Sequence, residues 1–146
     1  IWGTSGPIAD SSHNVYASTG NSFSYPSSGT DYSDGVVSLG ASQSGPNTVP
    51  SDYFQPTEWQ TDNNDDADLG SAGPVFVNSS QLFIIGKQQN AFLLNLSSLG
   101  GSNHETPAAR LNGACSGEVL GQSAFLSSTN SVYIACSSGI TQIQLS

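Results

Sequence analysis

Residues 74–84 read Pro74-Val75-Phe76-Val77-Asn78-Ser79-Ser80-Gln81-Leu82-Phe83-Ile84. A short apolar run, a polar turn and a second apolar run carrying an aliphatic-aromatic pair predict a β-hairpin. Two other stretches follow the same plan: residues 7–17 (PIADSSHNVYA) before it and residues 123–134 (SAFLSSTNSVYI) after it. A third strand is expected behind each hairpin, at residues 35–39 (GVVSL), 90–96 (NAFLLNL) and 139–145 (GITQIQL), two of them with clear in/out alternation. Residues 52–55 (DYFQ) would make a fourth strand in the first copy, and Ala109-Arg110-Leu111 is a weaker candidate in the second. Apolar residues never recur at helical spacing over a dozen positions, and Gly, Pro, Ser and Asn interrupt every candidate helix.

The unit is therefore a four-stranded antiparallel meander that repeats, with its last copy incomplete. Repeats of about 40–50 residues built this way mark a β-propeller. The fold expected is all-β, with approximate blades at residues 1–70, 71–113 and 114–146. The first copy is longer because residues 20–35 and 55–70 read as insertions. Propellers close with about four to eight blades, so the 146 residues hold about three blades of something larger. The remaining blades, in the same chain or an associated fragment, are the partner this reading calls for. A β-sandwich would use a similar number of strands, but it gives no reason for a hairpin plus third strand to recur.

Composition bounds the partners. Charged residues make up 9% of the chain, eleven acids against two bases, for a net charge of −9. Nothing here could neutralise phosphates, so duplex nucleic acid and anionic membrane are poor partners, and no nucleic-acid partner is expected. No run approaches the roughly 18 apolar residues of a membrane span. The chain has no Met and no charged, apolar leader, which reads as a processed mature chain or an excerpt. Two cysteines, and N-glycosylation sequons at Asn78 and Asn95 in a Ser-rich, Lys-poor sequence, point to a secreted protein. Cys115 precedes the third hairpin and Cys136 closes its second strand, so the hairpin would bring them together as a disulfide. Two buried free thiols are the competing reading.

Ile1-Trp2-Gly3, Gly6-Pro7, Asp10, Asn14-Val15-Tyr16 and Thr19-Gly20-Asn21 occur in that order, followed by residues 52–59 (DYFQPTEW), 66–75 (DADLGSAGPV), Gly86-Lys87 and residues 91–95 with 99–101. This succession resembles the quinoprotein (pyrroloquinoline quinone, PQQ) alcohol dehydrogenase-like β-propellers, in particular the secreted, polyvinyl alcohol dehydrogenase-like branch. The resemblance covers nearly the whole chain, although each motif alone is short. It implies an eight-bladed propeller with PQQ and Ca²⁺ at one mouth. Asn21 falls where the family supplies an asparagine oxygen to Ca²⁺, and Asp66 matches the catalytic aspartate best, also as a Ca²⁺ ligand, with Asp68 next. Ca²⁺ takes hard oxygen ligands, and a carboxylate accepts the alcohol proton as hydride moves. Lys87 or Arg110 would contact the quinone, with no motif choosing between them. The chain also departs from the family. Asp65 and Ala67 flank Asp66 where active members carry an aromatic or histidine before the aspartate and a tryptophan soon after, and a vicinal cysteine pair is absent.

The acids Glu58, Asp62, Asp65, Asp66 and Asp68 can equally form a solvated loop with Asx turns. Their spacing is not that of an EF-hand. His13 and His104 read as loop histidines without a metal partner, and no Gly-x-Ser-x-Gly elbow is present. Trp2 with Tyr16, and Trp59 with Phe54, are expected to pack between blades. Two functions follow: a non-catalytic extracellular propeller used for binding or as a scaffold, which the broken aspartate motif and scarcity of bases favour, or a PQQ- and Ca²⁺-dependent alcohol dehydrogenase segment.

Overall fold

The computed structural model of the chain describes residues 5–22, 30–42 and 49–146. It is all-β, with three antiparallel sheets in each of which strands that follow one another in sequence pair side by side. The first sheet holds β1 (Ile8–Ala9), β2 (Val15–Ser18), β3 (Val36–Leu39) and β4 (Asp52–Phe54). The second holds β5 (Val75–Asn78), β6 (Gln81–Ile85), β7 (Ala91–Asn95) and β8 (Ala109–Leu111). The third holds β9 (Ala124–Leu126), β10 (Ser131–Cys136) and β11 (Gly139–Gln144). The weaker fourth-strand candidate is thus a strand, and β10 and β11 pair over six residue pairs without a bulge. The Ile1-Trp2-Gly3 run, and with it the expected Trp2–Tyr16 packing, lies outside the described residues.

The run Leu82-Phe83-Ile84-Ile85 explains how the sheets stack. Successive strand side chains point to opposite faces, so a run with no polar alternation must bury both. Leu82 and Ile84, with their cross-strand partners Leu94 and Phe92, face the first sheet and join Tyr16, Val36, Phe54 and Leu69 in one core. Phe83 and Ile85, with Ala91 behind Ile85, face the third sheet and join Val119, Val132, Ile134 and the two cysteines in another. The second sheet is therefore sandwiched between its neighbours. Phe54 of β4 packs on Phe92 with ring centroids 5.0 Å apart, and Arg110 of β8 lies over the same ring, 5.3 Å from its centroid.

One element escaped the sequence pattern. Residues Trp59–Asn64 form a helix α1 of six residues, held by Asp62 and Asp65 amides donating to the Glu58 and Thr61 carbonyls. Its sequence is polar and too short to show an apolar stripe, so its position comes from tertiary contacts rather than periodicity. Gly35, which opens β3, is required by close packing: a Cβ there would run into the Phe54 carbonyl oxygen.

Candidate functional site

Three segments converge at one end of the seam between the first and second sheets: residues 19–22 after β2, residues 31–35 before β3, and the stretch from α1 to Ser71. Asp68 lies at their centre, with no exposed surface. Its Oδ1 accepts the Asn21 amide at 2.9 Å, and its Oδ2 accepts the Lys87 ammonium at 2.8 Å. Lys87 also donates to the Asp66 carboxylate at 3.1 Å and to the Asp66 carbonyl at 3.0 Å, while its own amide is held by the Asp68 carbonyl. The Lys87 hydrogen bond holds the Asp66 carboxyl below the usual range. For Lys87, burial acts against the charge, but its hydrogen bonds to Asp68 and Asp66 win and raise its pKa.

Asn21 and Asp66, the two residues expected to share Ca²⁺, do meet, through Asn21 Nδ2 and Asp66 Oδ1 at 3.4 Å. Asn21 Nδ2 donates also to the Asn63 carbonyl at 3.1 Å, which leaves Asn21 Oδ1 buried without a hydrogen-bond partner. That oxygen suits a hard cation. The surroundings do not, because the Lys87 ammonium already bonds Asp66 Oδ2, and an ion bridging Asn21 and Asp66 would stand beside a fixed positive charge. Among the described residues no three carboxylate, histidine or cysteine groups converge as a metal set. As arranged, these residues fit an ammonium rather than Ca²⁺.

Arg110, the other base, forms a two-point pair with Glu58, Nη1 to Oε2 at 3.0 Å and Nη2 to Oε1 at 2.5 Å. Burial would raise the Glu58 carboxyl, but the Arg110 hydrogen bond and charge bring it below the usual range. Both bases of the chain are thus engaged by acids of this loop region. Neither stands ready for the carboxylates of a quinone.

Sequence reasoning missed Asp34. It sits immediately before β3 in a left-handed conformation, φ 48°, fully buried, and neither carboxylate oxygen has a hydrogen bond of good geometry. Burial, then the neighbouring charges of Asp68 and Asp62, push its pKa up to about 7. Asp62 of α1 is buried as well; burial and then Glu58 push it up to about 6. An Asp before a Gly that must open a strand at close quarters was the available signal, but residues 20–35 read only as an insertion. Near these acids, Gln55 ties the segment down, donating from Nε2 to the Asp31 and Ser33 carbonyls at 2.7 Å each.

Elsewhere, the cysteines form the Cys115–Cys136 disulfide, Cα atoms 5.8 Å apart. His13 is exposed in its turn, whereas His104 is built in: its ring stacks on Tyr53 at 3.9 Å between centroids, and Nδ1 lies 3.2 Å from Asp52 Oδ1. Both sequon asparagines are exposed at one end of the second sheet. Asn78 donates to Gln81 Oε1 at 2.9 Å, and Gln81 Nε2 donates to Asn95 Oδ1 at 3.0 Å. No described helix is long and apolar enough to cross a membrane. Comparison of the sequence with protein-family models and with curated proteins finds no match.

Proposed function

We propose that the chain is a segment of a secreted, quinoprotein-like β-propeller that acts as a non-catalytic binding or structural scaffold. The three stacked meanders are its blades, and the acidic end of the first seam is a structural clasp. The observation that carries the reading is Lys87: its ammonium holds both Asp66 and Asp68, the first and second candidates for the carboxylate that would accept the alcohol proton, Asp66 being also the one expected on Ca²⁺. The Lys87 hydrogen bond keeps the Asp66 carboxyl below its usual range, which makes it a weak proton acceptor. The disulfide and the two exposed sequons support an extracellular setting.

The alternative, a PQQ- and Ca²⁺-dependent alcohol dehydrogenase, draws on the unpartnered Asn21 Oδ1. Incubation with PQQ and millimolar Ca²⁺ separates the two. The scaffold reading expects no bound-quinone absorbance, no dye-linked alcohol oxidation and no Ca²⁺-induced rise in melting temperature. Quinone binding with alcohol-dependent dye reduction would overturn it.

A further inference from the structure

The end of the first seam away from the acidic site is shaped by two hairpin turns. Asp10 holds the turn after β1: its carboxylate accepts the Ser12 and Asn14 amides at 2.8 and 2.9 Å, and the Asn14 side-chain amide and the Tyr16 hydroxyl at 3.0 Å each. Asn78 holds the turn after β5: its Oδ1 accepts the Ser80 amide and the Ser80 hydroxyl at 2.9 Å each. Between the two turns lies a groove of about 290 Å³. Phe76 and Leu96 supply its apolar lining, and Asp10, Ser11, Asn78 and Ser79 its polar lining. Phe76 and Leu96 also pack against the core of this seam. The Phe76 ring meets Tyr16 edge to face, centroids 5.8 Å apart and planes at 87°, so the apolar wall is fixed in place.

Asn78 is the acceptor residue of the sequon Asn78-Ser79-Ser80 and is exposed. Its Oδ1 is committed to Ser80, and its Nδ2, the atom to which a glycan is joined, donates to Gln81 Oε1 at 2.9 Å in an exposed contact. Nδ2 carries two hydrogens; glycosylation replaces one and leaves the other for Gln81. Phe76, two residues earlier, lines the same groove as Asn78, so a sugar on Nδ2 starts beside an aromatic ring. The C–H groups on one face of a pyranose are slightly positive and suit the negative face of such a ring. The neighbouring sequon, Asn95-Leu96-Ser97, has a different setting. Leu93, two residues before Asn95, packs against the core of the second seam.

We infer that Asn78 carries an N-linked glycan whose first N-acetylglucosamine is seated in this groove, its ring against Phe76 and Leu96 and its polar groups toward Ser11 and Ser79. The bond formed joins Nδ2 to the anomeric carbon of the sugar. The bond broken joins that carbon to the diphosphate of a lipid-linked oligosaccharide donor, and one Nδ2 proton leaves. A glycan on Asn95 stands free of the groove. The inference rests on the extracellular setting of the scaffold reading and not on its statement about catalysis. Quinone turnover would overturn the scaffold and leave Asn78 untouched, whereas an empty Asn78 in secreted, folded protein overturns this inference alone.

The test is secretion of the protein from a eukaryotic host that installs N-glycans. Trypsin cuts after Lys87 and Arg110, which places Asn78 and Asn95 in separate peptides, and mass spectrometry then reads occupancy at each. Asn78 should be occupied. Asn78→Gln should lower the melting temperature by about 2–5 °C, the shift for a contact comparable to an aromatic pair, while Asn95→Gln should leave it unchanged. Trimming the glycans enzymatically to the single sugar joined to Asn should preserve the difference. Phe76→Leu keeps the apolar wall and removes the ring, so in that background Asn78→Gln should cost less than half as much. Leu96→Ala gives the same reading from the other apolar residue. An unoccupied Asn78 overturns the proposal. So does an undiminished effect of Asn78→Gln in both backgrounds, or loss of the difference on trimming, because the sugar is then not held by the groove.

Discussion

The seam between the first and second sheets and the seam between the second and third are both apolar inside, yet they are fastened differently at their ends. The first gathers both bases and a large share of the acids of a charge-poor chain: Lys87 with Asp66 and Asp68, Arg110 with Glu58, and the unpaired Asp34 between them. The second has the Cys115–Cys136 bond and neutral polar ties, the Ser71 hydroxyl donating to the Val119 carbonyl at 2.7 Å and Gln122 Nε2 to the Pro74 carbonyl at 2.8 Å. One seam should respond to pH and salt, the other to reductant. The difference teaches that a shared strand plan fixes the core but leaves the fastening of each junction to its loops.

The sharpest way to break the comparison is Lys87→Met, which keeps the apolar stem and removes the charge. Asp68 would then be buried with its charge unpaired and the Asn21 amide still donating to its carboxylate. Stability should fall by about 3–5 kcal/mol, the range for an ion left unpaired in an interior, read by chemical denaturation at pH 7. A loss below 1 kcal/mol would mean that the first seam is not held electrostatically.

Next in size is reduction of the disulfide, or the double change of Cys115 and Cys136 to Ser. A bridge across 21 residues contributes about 3 kcal/mol on the chain-entropy model. The same denaturation experiment, with and without reductant, should show this loss in the wild-type chain and none in the double variant.

Asp34→Asn should act in the opposite direction. Burial raises Asp34 and Asp62 in the folded state, to about 7 and about 6. The folded protein therefore holds protons that the unfolded chain has released, and stability falls as pH climbs from about 4 through 6 and 7, levelling off above. The variant should gain roughly 2 kcal/mol at pH 8, allowing for the amide that stays buried, and should flatten much of that slope. A slope unchanged in thermal melts from pH 4 to 8 would show that Asp34 is not the group responsible. Smallest is Arg110→Ala: its partly exposed pair with Glu58 should be worth less than about 1 kcal/mol, and its effect should vanish at high salt.

The strands were legible because each rests on local pattern. Hairpins at 8–18, 75–85 and 124–136 announce themselves by apolar runs around polar turns. The acidic site was legible only as a list of residues. Asn21 and Asp66 meet across 45 residues of sequence. Which base would join them was open, because Lys87 and Arg110 differ in destination rather than in local sequence, and only the turn after β6 carries Lys87 back over Asp68. Helix α1 and the burial of Asp34 depend on contacts across more than twenty residues, which neither periodicity nor composition records.

The side-by-side order of strands also bears on how this chain tolerates change. Among the described residues every ladder joins sequence neighbours, so a sheet closes without waiting for a distant segment, and loop-closure entropy grows only with the logarithm of loop length. The segments between β2 and β3, and between β4 and β5, can therefore lengthen at small cost in loop-closure entropy, provided that Leu69 and the Asp68–Lys87 pair keep their places. They are the same segments that carry Asn21, Asp34, Asp62, Asp66 and Asp68. New chemistry can be tried at that end of the molecule while the meanders beneath it stay as they are.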